Sequence, residues 1–278
     1  MKDLKYELTN ETINYQGYTL YRIIALKDFG DIKAGDFGGF VGSEHNLSQS
    51  GNCWICEGAK AYKEAEVFGN ARIFGDAQIS DNAQISGNAR ISGNAQIFSN
   101  AQIFGNAQIS DNAQIFGNAR ISGNAQIFGN ARVNDNAIVG GSAKICGDAS
   151  ISECAIIFGY TIIYDNAKVF GHARIDGNIK ISGDANICGQ ASIKHFEDIP
   201  LRISRSNQIL NIGVLESRDD YATFFYSNNE IYVCCRCFTG TLDKFLFQVS
   251  KTHKNNVHFA NYISAAKFAK EYLERNNK

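Results

Sequence analysis

Cys154 and His172 stand 18 residues apart in a stretch where the chain repeats itself every six residues. A thiol beside an imidazole is a nucleophile–base pair, because the ring accepts the proton and leaves a thiolate. Glu153 adjoins the cysteine, with Lys168 and Arg174 nearby. The competing reading is two substitutions at a tolerant position that is usually Asn. A second set lies further on. Arg218, Asp220, Tyr221, Arg236 and His253 mix charge with aromatic surface. They could grip a small anionic ligand or nucleotide, the arginine forks taking phosphate. The alternative is a solvated surface with structural turn residues. No P-loop or dinucleotide fingerprint accompanies them. A third set is "CWIC" (Cys53, Cys56) and "CCRC" (Cys234, Cys235, Cys237), which together offer four zinc thiolates. Alternation along the chain turns Cys53 inward and Cys56 outward, so their thiols diverge and no metal site is expected.

The elements that must position these residues follow from the repeat. From Ala65 to Phe196 the chain divides into 22 hexapeptides without an insertion, and the frame extends back to Cys53 to make 24. In Ala-Gln-Ile-Phe-Gly-Asn the first four residues read in, out, in, out, which is the period of a strand. Ala and Ile share the inner face. Gly, Asp or Asn then tolerate positive φ and turn a corner. A helix needs apolar positions at a period of 3.6, which six does not supply. Three hexapeptides close a triangular coil of 18 residues, and coils stack at about 4.8 Å. Ile103, Ile121 and Val139 should therefore line up along one inner wall. Cys154 and His172 should share one corner.

The outward positions carry a second pattern. Phe98 and Phe116 should stack on one face, while Ile138, Ile156 and Phe158 share another and Ile162 and Tyr164 the next. Exposed apolar patches mark interfaces. One such face is expected to form a homotrimer contact and another to dock the C-terminal domain; half-exposed strand residues with high β-propensity are the alternative. Gln78, Gln96 and Gln114 should form an amide ladder.

The units "IFGNAQ" and "ISDNAQ" resemble the motif of the hexapeptide-repeat left-handed parallel β-helix family, over about half the chain. The left hand is what the resemblance implies. The layout, with "DFGDIKAGDFGGFV" leading into the repeats, is also similar to transferase-like proteins of enteric bacteria and to phage and prophage proteins. Many members of the family are acyltransferases. By resemblance these are trimers that bind acyl-CoA or acyl-carrier protein between neighbouring prisms and use a histidine as general base. That histidine lies near a loop extruded from the prism. No hexapeptide is interrupted here, which counts against an enzyme.

The flanks complete the expected organisation. Residues 1–50 contain the strand-like runs "LKYELTN" and "YTLYRIIAL" and form a β cap over the first coil, whose exposed edge invites aggregation. Residues 51–196 form the β-helix of about eight coils. After Phe196 the register fails and Pro200 marks the break. Within 197–278, "QILNIGV", "YATFFYS" and "EIYVCCRCF" read as strands. "TLDKFLFQVS" and "FANYISAAKFAKEYL" read as helices, giving a βββαα domain of α+β type. Leu242, Phe245, Leu246 and Val249 share one helical face, with Thr241 as N-cap. The fold class is thus mainly β.

Composition bounds the rest. The 278 residues carry 27 Lys and Arg against 28 Asp and Glu, which excludes a strongly basic binder of double-stranded nucleic acid. No signal-peptide core or membrane-length apolar run is present, so the expectation is a soluble cytoplasmic protein, in the host cytoplasm if phage-encoded. The eight cysteines do not follow a secreted disulfide framework and read as free thiols. The function expected from these observations is a non-catalytic, oligomeric scaffold of phage or prophage type. It needs no cofactor and presents its C-terminal domain to a host protein or a nucleotide-like ligand. The alternative is an acyltransferase using acyl-CoA at a trimer interface.

Overall fold

The computed structural model describes residues 3–195, 200–213, 215, 221–254 and 257–277, in two compact units, Met1–Asp148 and Ala149–Lys278. The first opens with a hairpin of β1 (Tyr6–Tyr15) and β2 (Tyr18–Ala25). Its two-residue turn, Gln16-Gly17, has φ of 52° and 83°, the primed geometry that matches strand twist. β2 pairs antiparallel with β3 (Phe37–Val41), and β3 pairs parallel with Lys60–Ala61. β3 is thereby laid into the wall of the solenoid, as is Leu47, which bridges to Val67. With Trp54–Ile55, the rung of the first hexapeptide, they complete a first turn.

Two-residue rungs then recur every six residues and pair every 18. Ile85, Ile103, Ile121 and Val139 form one in-register column, each fully buried. Every Ala at the first position of a repeat in this unit is also fully buried. Six turns belong to this unit and three to the other, about nine in all. This is the expected mainly-β, three-sided coil, one turn longer than the repeats alone suggest.

The corners divide their labour. The fifth residue is left-handed, as at Gly87 (φ 67°), Ser99 (φ 61°) and Asp111 (φ 59°). An aspartate there accepts a hydrogen bond from the next coil, Asp111 Oδ2 from the Gly129 N–H at 2.9 Å. The sixth residue carries the amide ladder. Asn88 donates to Asn106 at 2.9 Å and Asn106 to Asn124 at 3.0 Å. Gln78, Gln96 and Gln114 are in register as expected, but the amide-to-amide hydrogen bonds run along the asparagines. Phe98 and Phe116 do stack, with centroids 5.0 Å apart and planes 1° from parallel.

Alternate N–H groups of a rung point to the coil after it, as Phe104 N–H does to Ile121 O, and the others to the coil before it. Each end of the stack therefore leaves both donors and acceptors to be met. At the N-terminal end, donors cover spare carbonyls. Lys5 Nζ reaches Cys53 O at 3.0 Å, Tyr6 Oη reaches Leu47 O at 2.6 Å, and Asn46 Nδ2 reaches Lys63 O and Ala65 O at 2.8 Å. Trp54 points outward by register, yet the N-terminal segment buries it against Tyr6 and Phe29.

In the second unit the rungs Ser192–His195 and Leu201–Ile203 end the solenoid. Five N–H groups that would have met another coil meet side chains. Those of Asn186, Ser192, Lys194, Arg202 and Ser204 donate to Ser206 Oγ, Thr223 Oγ1, Cys234 Sγ, Ser227 Oγ and Gln208 Oε1. Buried backbone donors left unpaired are costly, so this cap ends the stack without exposing an edge.

Beyond it lies an antiparallel sheet of Ile209–Ile212, Ala222–Ser227, Glu230–Cys235 and Phe238–Thr241, followed by helices α1 (Leu242–Thr252) and α2 (Val257–Asn277). The sequence suggested three strands. "EIYVCCRCF" is in fact two, because Arg236 adopts φ 52° and turns the chain. Asn228 and Asn229, both at positive φ, form the expected hairpin turn. Leu242, Phe245 and Val249 of α1 are buried with Phe224, Val233, Tyr262 and Leu273 in one core. The Thr241 side chain accepts from Lys244 N, as an N-cap should. No helix among the described residues is long and apolar enough to cross a membrane.

Candidate functional site

The candidate residues are dispersed. Cys154 and His172 share a corner one coil apart: the Cys154 N–H donates to Gly171 O at 2.9 Å and the His172 N–H to Gly189 O at 2.8 Å. Cys154 is half-buried; His172 and Glu153 are exposed. Arg218 and Asp220 lie outside the described residues. Tyr221 is partly exposed, its ring lying on Gly213, where a side chain would collide with it. Arg236 and His253 line one small cavity of about 190 Å³ with Cys237, Phe245 and Tyr262. His253 packs on Tyr262 with ring centroids 5.1 Å apart. The structure thus brings these two together and leaves Tyr221 out.

The cysteine motifs make separate surroundings. Cys53 is fully buried and Cys56 half-buried; Cys234 and Cys235 are buried and Cys237 is exposed, and all eight cysteines are free thiols. Burial pushes the thiols of Cys56 and Cys234 above the ordinary value, which disfavours the reactive thiolate. Among the described residues no three His, Cys, Asp or Glu side chains cluster to hold a metal ion.

A larger cavity, about 590 Å³, opens in the second unit between the last coil and the C-terminal sheet. Its wall includes His195, Glu230, Tyr232, Thr239, Thr241 and Lys244. His195 is 5% exposed and sits at the end of the rung Ser192–His195, opposite Gly177 of the preceding coil. Gly177 has φ 116°, and any side chain on it would drive into the His195 carbonyl. That carbonyl accepts from Asn178 N at 2.6 Å, and the next-door Lys194 N–H is held by Cys234. The backbone of His195 is therefore clamped. Its imidazole meets Tyr232 edge-on, centroids 6.0 Å apart, and Tyr232 is backed by Phe225 stacked at 5.6 Å. Lys244 comes from the first turn of α1 and Thr241 is its N-cap, where the helix N–H groups favour negative charge. Glu230 faces in from the sheet. A histidine held this way, with a cation and an acid in reach of the same space, suits proton transfer on a bound hydroxyl or amine.

Sequence reasoning passed over His195 because it occupies a corner position in the last hexapeptide, where the register was about to fail. Tyr232, Thr239 and Lys244 come from separate elements of the C-terminal sheet and α1, and nothing local marks them as neighbours.

A family model described as the YdcK beta solenoid repeat matches residues 83–98, 113–125 and 125–141. The uncharacterized acetyltransferase YdcK of Escherichia coli (strain K12) is 42% identical over 59 residues, which cover 18% of this chain. The chain spans 18% of the length of that relative. Among solved structures, the UDP-N-acetylglucosamine O-acyltransferase LpxA of Moraxella catarrhalis RH4 aligns with a TM-score of 0.29 and 15% identity, over 58% of this chain and 70% of that one. The UDP-N-acetylglucosamine acyltransferase of Arabidopsis aligns with a TM-score of 0.33 and 12% identity, over 68% and 72%. Those two overlaps are too slight to bear on function. The uninterrupted six-residue unit, its 18-residue stacking and the repeat match together support a place in the hexapeptide-repeat left-handed β-helix family, which has transferase-like members.

Proposed function

We propose that this protein is an acyltransferase of the hexapeptide-repeat type, and that the transfer takes place in the cavity around His195. The observation that carries the reading is the clamped, buried histidine in the cavity of about 590 Å³ in the second unit. The repeat-region similarity to a protein named as an acetyltransferase supports it over a non-catalytic scaffold. The missing extruded loop counted against an enzyme. The C-terminal sheet supplies, in that loop's place, the second wall that a site on a bare prism would lack.

In this reading an acceptor hydroxyl or amine lies against His195, and the thioester of an acyl-CoA enters from the open side. The imidazole takes the acceptor's proton as its lone pair attacks the thioester carbonyl. The tetrahedral intermediate collapses, the C–S bond breaks, and the departing thiolate receives the proton from the imidazolium. Lys244 and the first turn of α1 stabilise negative charge on the carbonyl oxygen or on the donor's phosphates. Trimer formation belongs to the same proposal, through the half-buried outward residues Ile156, Ile162 and Tyr164.

Thermal denaturation with and without CoA and acetyl-CoA is the first test, since a ligand at about 100 times its Kd stabilises by about 2.7 kcal/mol. Thiol release from acetyl-CoA in the presence of amine and hydroxyl acceptors is the second. His195→Gln should lower turnover by about 100-fold or more while circular dichroism is unchanged. Cys154→Ala and His172→Ala should leave turnover intact. No stabilisation by either thioester or thiol, or turnover that survives His195→Gln and falls with His172→Ala, rejects this assignment.

A further inference from the structure

The first unit contains a groove of about 240 Å³ that the acyl-transfer proposal does not use. It arises from one column of outward residues at the fourth position of the repeat. Tyr62, Ser80 and Phe98 follow one another at 18-residue intervals on adjacent rungs of one wall. A small residue between two aromatic ones leaves a notch. Its two sides are two rungs apart, about 9.6 Å by the ordinary strand spacing. Tyr62 and Ser80 are themselves buried, with the Tyr62 hydroxyl within hydrogen-bonding reach of Ser80, so the accessible side of the notch is that of Phe98.

One side of the notch is an open aromatic face. Phe98 and Phe116 are parallel at 5.0 Å, so Phe116 covers one face of Phe98 and the other turns toward Ser80. Tyr62 is held on its other flank by Tyr15 and Tyr18, at 5.9 and 5.6 Å. The hairpin turn brings Gln16 over this cluster, where its side-chain oxygen accepts from the Tyr62 hydroxyl at 3.0 Å. Gln78 and Gln96, paired in register, line the adjoining column. Each of these amides offers both a donor and an acceptor in one plane.

The charge is balanced. Lys63 and Asp81, the two charged residues that line the groove, pair with each other at 2.7 Å. Lys63 also lies over the rings of Tyr18 and Tyr62. The groove therefore asks for a neutral ligand. That ligand must have an apolar ring face to lie on Phe98 and a perimeter of groups that both donate and accept. A sugar ring answers each requirement: its C–H face stacks on an aromatic ring and its hydroxyls meet the amides. A nucleotide would bring phosphate to a site whose cation is already paired. No histidine or cysteine lines the groove.

We infer that this groove is a saccharide-binding site, which takes a neutral pyranose ring on the open face of Phe98 with its hydroxyls toward Gln78 and Gln96. Saturation-transfer NMR and titration calorimetry on the full chain test it, with glucose, N-acetylglucosamine and chitotriose as probes and adenosine as comparator. At least one sugar should bind in the millimolar range or better. Phe98→Ala and Gln96→Ala should each weaken it about ten-fold. Both side chains point away from the solenoid core, so the fold should survive. Phe104→Ala, exposed on a different wall, should leave binding unchanged. No transfer from any of the sugars, transfer that persists in Phe98→Ala, or binding of adenosine alone would overturn the inference.

Discussion

Replacing Ile103 with alanine measures what the inner column contributes. Ile103 is fully buried between Ile85 and Ile121, which are equally buried. The change removes three carbons, about 2.4 kcal/mol at about 0.8 kcal/mol for each. It also leaves a cavity, because the walls cannot close over it. The Ser86 N–H is tied to Ile103 O at 2.9 Å and the Phe104 N–H to Ile121 O at 3.0 Å, so the coils are fixed at hydrogen-bonding distance. At about 24 cal/mol per Å³ the unfilled space adds ~1–2 kcal/mol, for a total of about 4 kcal/mol. Gln102→Ala, one residue away and pointing outward, should cost less than about 0.5 kcal/mol. Urea unfolding followed by far-UV circular dichroism reads the difference as a shift in midpoint. Midpoints are the right measure, since repeat arrays can lose two-state behaviour. Equal shifts for Ile103→Ala and Gln102→Ala would refute the in–out alternation on which the three-sided coil rests.

Three further outcomes follow from the ends and from the repeat. Burial holds the Lys5 amine below its ordinary value of 10.5, so between that lowered value and 10.5 the unfolded chain binds more protons. The cost of burying the charged form is fully present below the lowered value, and stability should rise with pH through this window. Tyr6, held above its ordinary 10.0 by burial, acts in the opposite sense above pH 10. Urea midpoints at pH 8 and pH 9.5 should therefore increase in the wild type and flatten in Lys5→Met. Thr223→Val removes the acceptor for the Ser192 N–H at 2.8 Å, and should cost about 1–3 kcal/mol and speed hydrogen exchange at that amide. Deleting residues 102–119 removes one coil in phase. It should leave a cooperatively folded protein with native-like circular dichroism, whereas an out-of-phase deletion of residues 102–118 should lower the melting temperature sharply.

The walls were legible in the sequence because each hexapeptide states its own structure. Ala and Ile alternate with polar residues, and each inner column, such as Ile103, Ile121 and Val139, consists of residues of one kind. The stacking of Phe98 on Phe116 follows from the same 18-residue count. The ends were not legible. Thr223, Ser227 and Cys234 look like ordinary strand residues, and only the fold places them beneath bare N–H groups. Trp54 reads as outward from its register, and the strands that cover it come from a segment with no repeat. The amide ladder was expected on glutamine, whose longer side chain has more freedom. It formed on asparagine, where the corner fixes the backbone and leaves a short side chain little else to do. His195 escaped notice for the reason that makes it useful: it stands where the pattern stops.

The paired end treatments bear on what happens when the chain is cut short. A product lacking the first fifty residues would bare the strand edge at its start, and one ending before Thr223 would bare the edge at its finish. Those surfaces are complementary, and each has the strand spacing of the other. Molecules cut at both ends would therefore add head to tail into fibrils of indefinite length. Trimming at one terminus alone leaves the other end covered and cannot propagate; trimming at both would convert a discrete particle into a polymer.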